Sequence, residues 1–146
     1  FIAPSKAASR LPMIHILDAS VALKWFTDEQ GSARALEYRD GLLAGKLVLA
    51  SPDLMLYEVA NVLHLKKEFT EAAVKEALRS LLDIGVEIFT PTEEILEKAV
   101  HYTFHTNHSF YDCLYIALAG HLGARLLTAD EALYKKARLF VPATLL

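Results

Sequence analysis

The chain has 146 residues, enough for one domain and too few for two ordinary ones. Apolar residues make up 53% and charged residues 23%, a balance that excludes general disorder, and no apolar run approaches the ~18 residues of a membrane span. A net charge of −3 leaves no global basic field for nucleic acid, and the single cysteine, Cys113, excludes an intrachain disulfide, so a reducing cytoplasm is the expected compartment.

Residues 1–12 read differently from the rest. Lys6 and Arg10 are their only charges, and they lack the apolar core of a signal peptide. They are expected to be a non-native or upstream extension, with Met13 as the natural start of a single domain over 13–146. Ile14 to Leu17 reads as a strand ending at Asp18, followed by a helix from Ser20 to Phe26 and another from Ser32 to Ala44. Leu47 to Ala50 is a second strand. Ser51-Pro52 has the form of a cap and first helical position, which predicts a helix to about Phe69. Thr70 opens the next helix, through Leu82, and Gly85 stops it.

Val86 to Phe89 is a third strand, and Thr90-Pro91-Thr92-Glu93 has the capping-box spacing for a helix to about Thr103. A helix from Ser109 to Gly123, a strand from Arg125 to Leu127, a helix from Glu131 to Ala137 and a strand from Leu139 to Val141 complete the series. Strands separated by helices require crossovers. The expected fold is therefore α/β and three-layered, with a parallel sheet of about five strands flanked by helices.

Ligands of such sheets bind beyond the carboxyl ends of the strands. Asp18 directly follows the first strand and Asp130 closely follows the fourth, so both face that edge; each also reads as the cap of the next helix. Asp112 lies on a helix that is apolar nearly all round, where a carboxylate needs a partner, although Ser109-x-x-Asp112 also resembles a capping box. Glu58 lies too far into its helix to cap it, and Asn61 shares its face. Clustered carboxylates raise each other's pKa values, and a hard divalent cation such as Mg²⁺ or Mn²⁺ relieves that repulsion. Carboxylate-only ligation suits hydrolysis of phosphate esters. Lys24, one turn after Ser20, is a candidate phosphate contact. Cys113 reads as a core residue. His101, His105 and His108 have helical spacing but fall where the helix is expected to end, so they read as an exposed polar stretch.

Leu17-Asp18-Ala19-Ser20 through Trp25-Phe26 resembles the opening motif of PIN domains, in particular the VapC type of toxin ribonuclease. Pro52-Asp53-Leu54 through Tyr57-Glu58-Val59-Ala60-Asn61, Tyr111-Asp112-Cys113 through Ala119, and Leu127-Thr128-Ala129-Asp130 resemble the second, third and fourth motifs, in order, between Met13 and about Pro142. The resemblance implies an Mg²⁺- or Mn²⁺-dependent endoribonuclease that leaves a 5′-phosphate. It implies that Asp18, Glu58, Asp112 and Asp130 are catalytic and hold the metal, with Ser20 and Thr128 supporting them. It also implies a homodimer neutralised by a small antitoxin. An RNA-processing nuclease that is not a toxin is the alternative within it, and two other readings stand beside it. One is a phosphotransferase, although Ser20 occupies the place where the haloacid-dehalogenase pattern has a second aspartate. The other is a non-catalytic module that binds RNA or protein.

Overall fold

The computed structural model describes residues 12–146. Of the expected extension at 1–12, all but Pro12 lies outside the described residues. Five strands form one sheet: β1 Met13–Leu17, β2 Leu47–Pro52, β3 Glu87–Phe89, β4 Arg125–Thr128 and β5 Ala143–Leu145. Their order is β3-β2-β1-β4-β5, and every pairing is parallel. The chain builds outward from β1 in one direction, then returns to place β4 on its other side. The strand order therefore reverses between β1 and β4, which opens a crevice beyond their carboxyl ends.

Among the described residues seven α-helices connect and cover the strands: α1 Ala19–Ala22, α2 Ser32–Leu43, α3 Leu54–Leu65, α4 Glu71–Asp83, α5 Glu93–Thr106, α6 Phe110–Leu122 and α7 Glu131–Ala137. Ile16 and Leu17, Leu49 and Ala50, and Leu126 and Leu127 are consecutive residues with no exposed surface. Neighbours along a strand point to opposite faces, so both faces of the sheet are covered. Cys113 through Ala119 is buried without a break, and this segment of α6 lies across β1, β2 and β4. Cys113 is a core residue, as expected. Trimming such a fully buried leucine costs about 2–5 kcal/mol, so the central strands make a firm base for the residues at their ends. Among the described residues no helix is long and apolar enough to cross a membrane.

The structure corrects five boundaries. The first helix is one α-helical turn that tightens into a 3-10 turn over Leu23–Trp25. β2 runs on through Ser51 and Pro52, because the Ser51 hydroxyl donates to the Leu17 carbonyl (2.6 Å) and Asp53 N–H continues the ladder to Phe89. Proline is tolerated there at the strand's last position. α3 stops at Leu65, where Lys66 turns to extended backbone and a tight turn joins Lys66 to Phe69. α5 continues to Thr106 and is closed by Asn107, which adopts the left-handed conformation (φ 57°). The last strand lies at Ala143–Leu145 and not at Leu139–Val141. The N–H groups of Phe140 and Val141 are taken by Ala137, and that of Leu139 by Lys136, so that segment is the turn after α7.

Candidate functional site

Asp18 leaves β1 at the reversal point. Its N–H is still in the ladder, donating to Leu127 of β4 (3.1 Å). The carboxylate does not cap α1. Oδ2 instead accepts from the Thr128 hydroxyl (2.6 Å) and the Ser20 hydroxyl (2.7 Å). Ser20 Oγ in turn accepts from Ala129 N–H (2.9 Å), and Thr128 Oγ1 accepts from Asp130 N–H (3.0 Å). These short bonds clamp the end of β4 to the start of α1 around one carboxylate oxygen.

Thr128 is the hub of this clamp, and it is fully buried. Thr128→Val keeps its shape but removes a donor to Asp18 and an acceptor for Asp130 N–H. An unsatisfied buried group costs about 1–3 kcal/mol. The expected result is a matching loss of stability in urea titration, with a larger loss of any activity that depends on Asp18. A stability equal to wild type would show that the clamp is not what holds Asp18.

The other acids arrive on separate elements. Glu58 lies on α3, and its Oε1 accepts from the hydroxyl of Tyr115 on α6 (2.6 Å). Tyr115 has no exposed surface, so Glu58 is anchored to the core by a phenol. Asp112 begins α6, where Ser109 caps the helix by accepting from Asp112 N–H (3.1 Å). His108 Nε2 stands 4.0 Å from Asp112 Oδ2. Asp130 caps α7, with Oδ1 accepting from Leu133 N–H (3.1 Å). The capping reading thus holds for Asp130 and fails for Asp18.

Electrostatics tie the four together. Asp18 is raised from the usual carboxylate range, chiefly by burial and further by Asp112 and Asp130, against the lowering effect of Thr128 and Ser20. Glu58 is raised by burial and by Asp18 and Asp112, with Tyr115 opposing. Asp112 is raised by burial and by Asp130, with His108 opposing. Each carboxylate therefore sits within the field of another. All their donors are oxygens, the chemistry of a hard divalent cation. Among the described residues, no three His, Cys, Asp or Glu side chains form an assembled ligand group.

Glu58, Asp112 and Asn61 line an open groove of about 330 Å³ between α3 and α6, together with Leu54, Tyr57, Ser109 and Tyr111. Lys24 is not among these residues. Its ammonium is engaged by Glu29 Oε1 (2.9 Å) and the Gln30 carbonyl (2.7 Å), and it makes no hydrogen bond or ion pair with the four acids. The 3-10 turn that carries it ends the helical register with Ser20. His101 and His105 lie on α5, their rings 4.1 Å apart, and only His108 reaches the acids.

Sequence reasoning missed three residues here. Tyr115 lies three positions after Asp112, on the same helix face, and that spacing was its available signal. Ser51, read as a helix cap, pins β2 beside the end of β1. His108, read as part of an exposed polar stretch, stands beside Asp112.

The PIN domain family pattern matches residues 15–139. No curated protein matches the sequence. Solved structures share the fold. PAE2754 from Pyrobaculum aerophilum is 21% identical, with a TM-score of 0.65 over 90% of this chain and 89% of that one. VapBC2 from Rickettsia felis, bound to a DNA fragment from their promoter, is 16% identical, with a TM-score of 0.69 over 92% and 99%. VapC20 from Mycobacterium tuberculosis, a Sarcin-Ricin loop cleaving toxin, is 20% identical, with a TM-score of 0.68 over 88% and 96%. On the extent of the family match, the chain belongs to the PIN domain family.

Proposed function

We propose that this chain is an Mg²⁺- or Mn²⁺-dependent endoribonuclease that hydrolyses RNA phosphodiester bonds, as the cytoplasmic toxin of a toxin–antitoxin pair. The observation that supports the reading is that Asp18, which follows β1 at the strand-order reversal, is raised in part by Asp112 and Asp130, while Glu58 is raised in part by Asp18 and Asp112. The similarity to VapC20 and to VapBC2 supports the choice of RNA and of a small antitoxin as partner. A homodimer is part of the same proposal.

Asp18, Glu58, Asp112 and Asp130 would hold the cation. When bound, a cation of this class polarises a phosphoryl oxygen and lowers the pKa of a water. The chain's own work is placement. Thr128 and Ser20 both hold Oδ2 of Asp18, so Oδ1 takes no part in the clamp. Tyr115 fixes one oxygen of Glu58 in the same way. Ser109 sets the start of α6 and so the direction of Asp112. No serine or cysteine nucleophile is required, and Cys113 is buried away from the crevice.

The test is a panel of fluorescent single-stranded RNAs incubated in EDTA, Mg²⁺ or Mn²⁺, beside Asp112→Asn. Cleavage is expected only with metal. The variant is expected to lose at least about 10²-fold, the scale for removing a group that stabilises developing charge. No cleavage in any metal, with no thermal shift on adding Mn²⁺, would overturn the reading in favour of a non-catalytic binding module.

A further inference from the structure

The groove beside the acids carries no positive charge. Its lining includes Glu58 and Asp112 but neither lysine nor arginine, on a chain whose net charge is already −3. Beyond the cation of the proposed site, the groove's side chains therefore offer no phosphate neutralisation, the usual source of affinity for nucleic acid, and a further contact has to hold the strand.

Two tyrosines occupy that position. Tyr57 on α3 immediately precedes Glu58, and Tyr111 on α6 immediately precedes Asp112. One helical residue is a rotation of about 100°, so each ring stands on the groove's lip beside an inward-facing acid. Both residues are 63% exposed, an uncommon state for large aromatic side chains. The Tyr57 hydroxyl is tethered to Asp53 Oδ2 (3.2 Å), four residues earlier at the boundary residue before α3, which orients its ring. Asn61, on the same wall, offers both a donor and acceptors for a base edge.

We infer that Tyr57 and Tyr111 form a stacking clamp for an unpaired base of the RNA, adjacent to the scissile phosphate. The inference rests on the nuclease reading and deepens it. Base–aromatic stacking needs no cation and tolerates any base, because every base has a π-face. A duplex keeps those faces stacked within itself, whereas loops and single strands can splay a base out. Stacking acts on bound substrate before and during reaction alike, so it sets KM and leaves kcat. It also makes the affinity only weakly dependent on salt.

The experiment measures binding of a short single-stranded RNA carrying one 2-aminopurine, and of the same strand in a duplex, to Asp112→Asn protein in Mn²⁺. Tyr57→Ala and Tyr111→Ala are added singly, with the corresponding Tyr→Phe variants as rescue. Cleavage by the otherwise wild-type variants is followed in parallel. The single strand is expected to bind with quenched fluorescence, and the duplex more weakly. Each alanine is expected to weaken binding by about 5- to 150-fold and to raise KM, while phenylalanine retains most of the affinity. Metal-dependent cleavage by wild type, with alanine variants that bind within twofold of the parent, would overturn the clamp and leave the nuclease standing. Neither binding nor cleavage by wild type would overturn both. Alanine variants that alter sedimentation but not RNA affinity would overturn the clamp and mark the lip as a protein contact.

Discussion

Asp18→Asn is expected to remove metal-dependent cleavage, by at least about 10²- to 10³-fold, and at the same time to make the metal-free protein more stable at neutral pH. The two effects share one cause. Asp18 is nearly inaccessible, and both hydroxyl donors converge on Oδ2, so an amide oxygen in that place keeps both bonds. The substitution removes the charge and exchanges Oδ1 for an amide NH2 while keeping both Oδ2 bonds. That charge is unfavourable without a counter-ion, because burial and the neighbouring Asp112 and Asp130 raise the carboxyl above its ordinary 3.8.

The sign of the pH dependence follows from that direction. The folded state binds the Asp18 proton more tightly than the unfolded state, so stability falls as pH rises from about 4 through the raised folded value. Below this window the folded state carries a neutral, hydrogen-bonded acid; above it the full burial penalty applies. Glu58 and Asp112 are raised in the same direction and deepen the decline. In EDTA, the melting temperature of wild type should fall across the window more steeply than that of Asp18→Asn. A variant that melts below wild type at neutral pH would show that the charged carboxylate contributes to folding by a contact other than these two.

Millimolar Mn²⁺ in place of EDTA is expected to raise the melting temperature of wild type strongly. A ligand confined to the native state stabilises it by mass action, by about 2.7 kcal/mol at a hundredfold excess over Kd. For a chain of this size that is on the order of 5–10 °C. The gain should be largest above the pH window described, where the acids are ionised, and should vanish below it. Asp18→Asn should lose most of the Mn²⁺ shift while starting from the higher metal-free value. A wild-type melting temperature that Mn²⁺ leaves unmoved at neutral pH would remove the cation from the site, whatever the RNA assay showed.

Much of the fold was legible because it is local. Alternating strand-like and helix-like runs, the caps at Thr70 and Ser109, and the glycine after α6 all act within a few residues and stand where the pattern placed them, while the cap of α5 moved from Thr90 to Thr92. The boundaries that moved did so through distant partners. Ser51-Pro52 carries a good local signal for a helix start, but the carbonyl of Leu17, 34 positions away, claims the serine for the sheet. Leu139 to Val141 is apolar enough for a strand, but the last turn of α7 takes its N–H groups first.

The site divides along the same line. Glu58 stood out because it lies too far into its helix to cap it, whereas Asp18, Asp112 and Asp130 each had a capping reading and were singled out by the resemblance to four ordered motifs. By itself the sequence determined the type of most elements, though not the last strand, together with the approximate place of each acid and the absence of a basic field. Only the tertiary structure decided the order β3-β2-β1-β4-β5, which brings Asp18 and Thr128 within hydrogen-bond reach across 110 positions of chain, and the contact that joins Glu58 to Tyr115 across 57. It also decided that Asp18 is an uncapped buried charge while Asp130 caps a helix, and that Lys24 belongs to a turn and not to the crevice. The reason is physical. Periodicity and capping are short-range free energies written along the chain, whereas a hydrogen bond across the sheet depends on which strands pair, and that is settled by burial of the whole core.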